Sequence, residues 1–261
     1  MRKVLVIGCS HATGAYDMND NVVSNESWAW HLHKLRNEQE QFFVLHNPGQ
    51  GVLQYGATLN YLHSKQLLAQ FDACIIQLTD ELRMMIYNSS INSYYQDIEN
   101  WLSNANDSYN VNPHYSQFKK ENRVFSSWHR DTYELHEHKF NNVSSKESWL
   151  DVSTNLHAAL TNTDLVNSVY PIYYFYMINL LKQLNIEPIV FDFWGKSLNS
   201  SIDNIKGNEW ILDSLMLEAK AKGVWLEENI APGLHHHNSV SNKLLAEIIN
   251  DAIIQHKKLE V

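Results

Sequence analysis

The sequence predicts an α/β protein: a three-layer α/β/α sandwich on a roughly five-stranded parallel sheet, with a largely helical insertion. Three observations lead there. Short, continuous apolar runs recur along the chain, each closed by glycine or polar residues, the pattern of strands buried on both faces. Amphipathic helical segments separate these runs, and that alternation implies parallel strands joined by right-handed crossovers. The chain has 261 residues, 44% of them hydrophobic, which suits one folded unit and excludes global disorder.

The elements follow in order. Lys3-Val4-Leu5-Val6-Ile7-Gly8 reads as the first strand. Residues 24–35 read as a helix: Ser24, Glu26 and Ser27 offer cap chemistry, and Trp28, His31, Leu32 and Leu35 share one face. Phe42-Phe43-Val44-Leu45 is the second strand, closed by Asn47-Pro48-Gly49-Gln50-Gly51. Residues 55–68 form a helix with Leu59, Leu62 and Leu67 inward, and Ala73-Cys74-Ile75-Ile76-Gln77-Leu78 is the third strand. From 84 to 166 the chain turns polar, rich in Asn, Ser, Tyr and His, with Trp101, Trp128 and Trp149 scattered through it. That segment reads as an insertion of short helices and loops within a single domain spanning 1–261. A helix resumes over 169–184. The fourth strand covers 187–194, with Pro188 tolerated at its start. Residues 208–222 read as a helix ended by Gly223, followed by a weak fifth strand, Val224-Trp225-Leu226. The last helix covers 239–256, with Leu244, Leu245, Ile248, Ile249, Ala252 and Ile253 as its apolar stripe.

Composition narrows the function. Twenty Lys and Arg against 29 Asp and Glu give a formal charge of −9, which argues against a nucleic-acid partner. Two cysteines do not make a disulfide framework. No run reaches the roughly 18 apolar residues of a membrane helix. The apolar run after Met1-Arg2-Lys3 is too short for a secretory signal. A cytoplasmic protein with no membrane partner is expected.

In open parallel sheets, ligands bind beyond the carboxyl ends of the strands. Gly8-Cys9-Ser10-His11-Ala12-Thr13-Gly14, Asn47-Pro48-Gly49-Gln50-Gly51 and Gln77-Leu78-Thr79-Asp80 follow consecutive strands and can converge at one edge. The first loop is neither GxGxxG nor a P-loop, and it is not a GxSxG elbow. It puts Ser10 just past a strand, where a hydroxyl can be exposed and backbone N–H groups can face an oxyanion; the plainer reading is a turn cap. A serine nucleophile needs a base. His235, His236 and His237 stand directly before the last helix, on the same sheet edge, with solvated surface histidines as the alternative. Adjacent histidines diverge and cannot all face one ion, so no metal site is assigned, and no cofactor motif is present. Asp192 sits in an apolar strand, where a carboxylate needs a partner: it either serves the base or makes a structural hydrogen bond. No motif around Cys9 favours a thiolate.

Those residues, in that order, resemble the SGNH (GDSL-like) hydrolases. Gly8-Cys9-Ser10 stands for Gly-Asp-Ser, residues 47–51 for the glycine block, and His236 for the base, with Asn238, Asn242 and Ala246 in matching places. His235 is the alternative register. Gln77, Thr79 and Arg83 match a divergent group with a Gly-Cys-Ser-His start. The resemblance spans both ends of the chain but not 84–166. It implies a flavodoxin-like sheet and a serine esterase. The oxyanion hole would comprise the N–H groups of Ser10 and Gly51, with Gly49 second. Two departures are plain. Asp80 stands near the family's oxyanion asparagine and cannot donate, so the Thr79 hydroxyl takes that role. No acid lies three residues before His235 or His236, which leaves a Ser-His dyad, a substitute such as Asp192, or lost catalysis. His11, Gln77 and Arg83 are assigned to substrate. The aromatic and amide content of the insertion favours a small-molecule or carbohydrate ester, most simply a sugar O-acetyl group. An O-acyltransferase using the same site, or a non-catalytic carbohydrate- or partner-binding domain, is the alternative.

Overall fold

A computed structural model describes residues 1–12, 14–16, 22–36, 39–46, 51–78, 84–86, 91–112, 123–125, 163–192, 207, 209–212 and 238–259. The strands are β1 (Arg2–Gly8), β2 (Ala15–Tyr16), β3 (Val22–Val23), β4 (Glu40–His46), β5 (Ala73–Leu78), β6 (Met84–Ile86), β7 (Tyr109–Val111), β8 (Arg123–Phe125), β9 (Glu187–Asp192) and β10 (Trp210–Leu212). The helices are α1 (Trp28–Leu35), α2 (Val52–Ser64), α3 (Ile91–Asn104), α4 (Thr163–Gln183) and α5 (Ser239–Leu259).

The main sheet runs β10-β9-β5-β1-β4-β7, with every pairing parallel. From β4 to β10 this is the doubly wound order 2-1-3-4-5, in which the direction of strand addition reverses between β1 and β5. β1 sits at the centre, in register with β4 from Arg2↔Glu40 to Gly8↔His46 and with β5 from Val4↔Ala73 to Ile7↔Ile76. Its side chains alternate between two cores. Leu5 and Ile7 pack with Tyr55, Leu59 and Leu62 of α2, Ile98 of α3 and Met177 of α4. Val4 and Val6 pack with Trp28 and Leu32 of α1 and with Leu245, Ile249 and Ile253 of α5. Burial on both sides is why the strand reads as a continuous apolar run.

Several expectations need correction. The sheet has a sixth strand, β7, drawn from the segment expected to be helical; its three residues, Tyr-Asn-Val, are too short a run to read as a strand. The same segment contributes β6 and β8, an antiparallel ribbon, beside α3. Trp210–Leu212, expected in a helix, pairs with β9. The expected strand at 224–226 lies outside the described residues. The helix expected from 24 begins at Trp28, because the Ser27 side chain caps it by accepting from the Trp30 N–H at 3.1 Å. That frame buries Trp28, Ala29, Leu32 and His33 and leaves Leu35 40% exposed.

A buried carboxylate fastens the far edge. Glu209 is 6% exposed. It accepts from Tyr174 Oη at 3.0 Å and Lys182 Nζ at 2.9 Å, both on α4. Its own carbonyl accepts from Val190 N–H at 2.8 Å. Burial alone would raise its pKa, but the Lys182 and Tyr174 hydrogen bonds together hold it below the ordinary 4.5. A depressed folded-state pKa stabilises above the unfolded value and is lost as pH falls through the folded one. Glu209→Gln should therefore cost about 1.5–3 kcal/mol at neutral pH. In urea melts, the gap to the parent protein should shrink below pH 4.5.

Candidate functional site

The reversal between β1 and β5 opens a crevice at their carboxyl ends. At its floor, β1 ends in Gly8, where there is no free space for a side chain. A Cβ there would lie 2.5 Å from Gln77 Oε1 and 2.6 Å from the Ala12 Cβ. The chain turns at once: Ala12 N–H donates to the Cys9 carbonyl at 2.9 Å, closing a 3-10 turn over Ser10–Ala12. Ser10 thus stands two residues beyond the end of the central strand. Its side chain is not among the described atoms. Cys9 is wholly buried and His11 is 4% exposed, so both are packed into the floor.

The other strand ends converge on this edge. His46, the last residue of β4, is held by a side chain acting as a strand. Its N–H donates to Asn112 Oδ1 at 2.9 Å and its carbonyl accepts from Asn112 Nδ2 at 3.1 Å. Gly51 caps α2, and its N–H donates to Gln54 Oε1 at 3.0 Å in a buried capping box. That N–H is engaged in this structure and reaches an incoming oxyanion only if Gln54 rotates away. Asp192 ends β9 in register with Leu78 and is 1% exposed. Strand alternation from Phe191, in the α1/α5 core, turns Asp192 toward the α2/α4 layer. The same alternation from Ile75 turns Gln77 toward the α1/α5 layer, where it meets Gly8 and Ala12.

The far end of the chain arrives here as well. Asn238 caps α5: its Oδ1 accepts from Ser241 N–H at 3.0 Å, and its carbonyl accepts from Asn242 N–H at 3.0 Å. Asn242, 1% exposed, donates from Nδ2 to the Gly14 carbonyl at 3.4 Å, a bond spanning 228 positions. The start of α5 is thereby tied to the loop that carries Ser10. His235, His236, Gly49, Thr79 and Arg83 lie outside the described residues.

Gln77 is the residue whose environment the sequence alone did not anticipate. It is 0% exposed, and neither Nε2 nor Oε1 has a hydrogen-bond partner among the described residues. Leaving buried polar atoms unpaired costs about 1–3 kcal/mol each. The one signal in the sequence was a glutamine at the end of an otherwise apolar strand. Burial pushes the Cys74 thiol, on the same strand, far up, so that cysteine is inert. Among the described residues, no cluster of His, Cys, Asp or Glu could hold a metal ion, and no helix is long and apolar enough to cross a membrane. A cavity of about 640 Å³ lies between the end of α3 and β7, lined by Asn100, Trp101, Asn104 and Asp107. It flanks the amino-terminal half of β4, away from this edge.

No family model matches the chain, and no curated protein matches it. Among solved structures, it is similar to a lipase from a goat rumen metagenome, at 12% identity and a TM-score of 0.45, covering 97% of each chain. It is also similar to a putative GDSL-like lipase from Parabacteroides merdae, at 11% identity and a TM-score of 0.34, covering 96% of this chain and 94% of that one.

The Gly8 contact is open to test. Gly8→Ala should lower stability by about 1–3 kcal/mol, because backbone or Gln77 must move to admit one methyl. Combining it with Gln77→Ala should return part of that loss, as read by a double-mutant cycle in urea.

Proposed function

We propose that this chain is a serine ester hydrolase of the SGNH type, with Ser10 as nucleophile and His236 as base. The observation that supports it most is the Asn242–Gly14 hydrogen bond. It brings the entry of α5, with His236 two residues before its cap, to the loop that begins at Ser10. Ser10 Oγ attacks the ester carbonyl while His236 takes its proton; the tetrahedral oxyanion collapses, and the same proton goes to the leaving alcohol. Water then resolves the acyl-serine by the reverse sequence of proton transfers. The Ser10 and Gly49 N–H groups and the Thr79 hydroxyl face the oxyanion, with Gly51 joining when Gln54 releases it. His235 remains the alternative base. Arg83 contacts substrate, while the buried His11 belongs to the floor beneath it.

Asp192 turns away from the α5 side, so we assign the orientation of His236 to a backbone carbonyl and Asp192 to the fold. Asp192→Asn then lowers Tm while kcat/KM stays within about threefold. The opposite pattern returns Asp192 to the site. The favoured substrate is an O-acetyl group on a carbohydrate. This rests on the amide and aromatic content of 84–166, read as a recognition segment within the single domain.

Turnover of p-nitrophenyl acetate and labelling by a fluorophosphonate check the nucleophile. Ser10→Ala should abolish labelling and cut turnover by about 10³-fold or more. His236→Ala should be far slower than His235→Ala; equal residual rates refute the assigned register. An unlabelled parent protein points to a binding domain instead. Acetyl release accelerated by added free sugar marks acyl transfer.

A further inference from the structure

The esterase reading leaves one electrostatic gap. Asp80 cannot donate where the related enzymes use an asparagine, and the Gly51 N–H is already bonded to Gln54 at 3.0 Å. A developing alkoxide at the β1/β5 crevice therefore lacks the side-chain amide that this chemistry calls for. One described amide fits. Gln77 closes β5 at the same crevice, is wholly buried, and has neither polar atom bonded to any described residue. Its carboxamide presses on Gly8, two positions ahead of Ser10: a Cβ on Gly8 would lie 2.5 Å from Gln77 Oε1. A protein that keeps an unpaired amide in an apolar floor gives up stability for it, and such groups call for a functional explanation.

The geometry points to Gln77 Nε2 as the amide donor to the oxyanion, beside the Thr79 hydroxyl and in place of the family's asparagine; this rests on the serine esterase reading above. As the Ser10 Oγ–carbon bond forms, the carbonyl π pair moves onto oxygen. Gln77 Nε2–H, idle in the ground state, donates to that oxygen. On collapse the π bond re-forms, the carbon–alkoxide bond breaks, and the alkoxide leaves with the proton from His236. A donor bonded only in the transition state raises kcat without tightening ground-state binding. The low dielectric of the floor adds to its effect.

The test uses the full chain with p-nitrophenyl acetate, alongside fluorophosphonate labelling of the parent protein. Gln77→Met keeps length and volume but cannot donate. It should lower kcat by about 10²–10³-fold with KM nearly unchanged. Tm should hold or rise, since an unpaired buried amide has been removed. Gln77→Glu is the second variant: as a carboxylate it only accepts, and once protonated it donates. Its rate relative to the parent protein should climb as pH falls. A parent protein that labels at Ser10 while Gln77→Met keeps kcat within about threefold overturns the inference and leaves the esterase reading standing. So does a Gln77→Glu ratio flat with pH, which decides the matter if the methionine variant fails to fold. A parent protein that neither labels nor turns over substrate overturns the esterase reading, and this inference with it.

Discussion

Everything at the candidate site depends on the way β1 is enclosed. It is bonded to a parallel neighbour along each edge and packed against helices on each face, so it has no freedom to shift. Its last residue is fixed by the same constraint, since Gly8 is wedged between the Gln77 side chain and Ala12. A loop leaving such a strand starts from a known point in a known direction. That is what a nucleophile needs: catalytic geometry tolerates errors of about 0.5 Å, and rigid strands hold it better than free loops.

Around that fixed point the molecule uses side chains where backbone runs out. Asn112 continues the ladder past β7 by bonding both polar groups of His46. Gln54 occupies the Gly51 N–H, and Asn238 caps α5. These amides pin the rim. Gln77 contrasts with them: it is an amide of the same chemistry, more deeply buried than most, and it has no hydrogen-bond partner among the described residues. An amide left without a described partner inside a rim of bonded ones is what is expected where stability is traded for a preorganised dipole.

Much of this was legible in the sequence. Ala73–Leu78 is a strand at the bounds its apolar run defines, and Leu59, Leu62, Leu245, Ile249 and Ile253 face inward as their 3.6-residue spacing requires. Tyr109–Val111 was not legible, because a short edge strand wins its place by pairing with Phe42–Val44, not by its own propensity. Trp210–Leu212 failed for a related reason: its neighbours favour helix, and tertiary pairing with β9 overrides them. Leu35 was misplaced by a cap, since Ser27 rather than Ser24 starts the helix and rotates its face. At the site, the order of motifs put Ser10 and Gly51 after β1 and β4, and the structure brings the ends of those two paired parallel strands to one edge. Nothing in the spacing revealed that the Gly51 N–H is bonded to Gln54 or that Gln77 has no partner among the described residues, because the first depends on a side-chain rotamer and the second on distances between segments.

The bond from Asn242 to Gly14 carries a consequence for how this molecule is born. On the ribosome, β1, α1, β4 and β5 emerge and can zip together early, while α5 is threaded out late. At about 5–20 residues per second, Phe191 waits several seconds, and Val4 and Val6 tens of seconds, for the cover that α5 supplies. During that interval the nascent chain shows an apolar flank to chaperones. Docking of α5 closes that flank and ties its first turn to the loop after β1 in one event, so an incompletely translated product stays sticky.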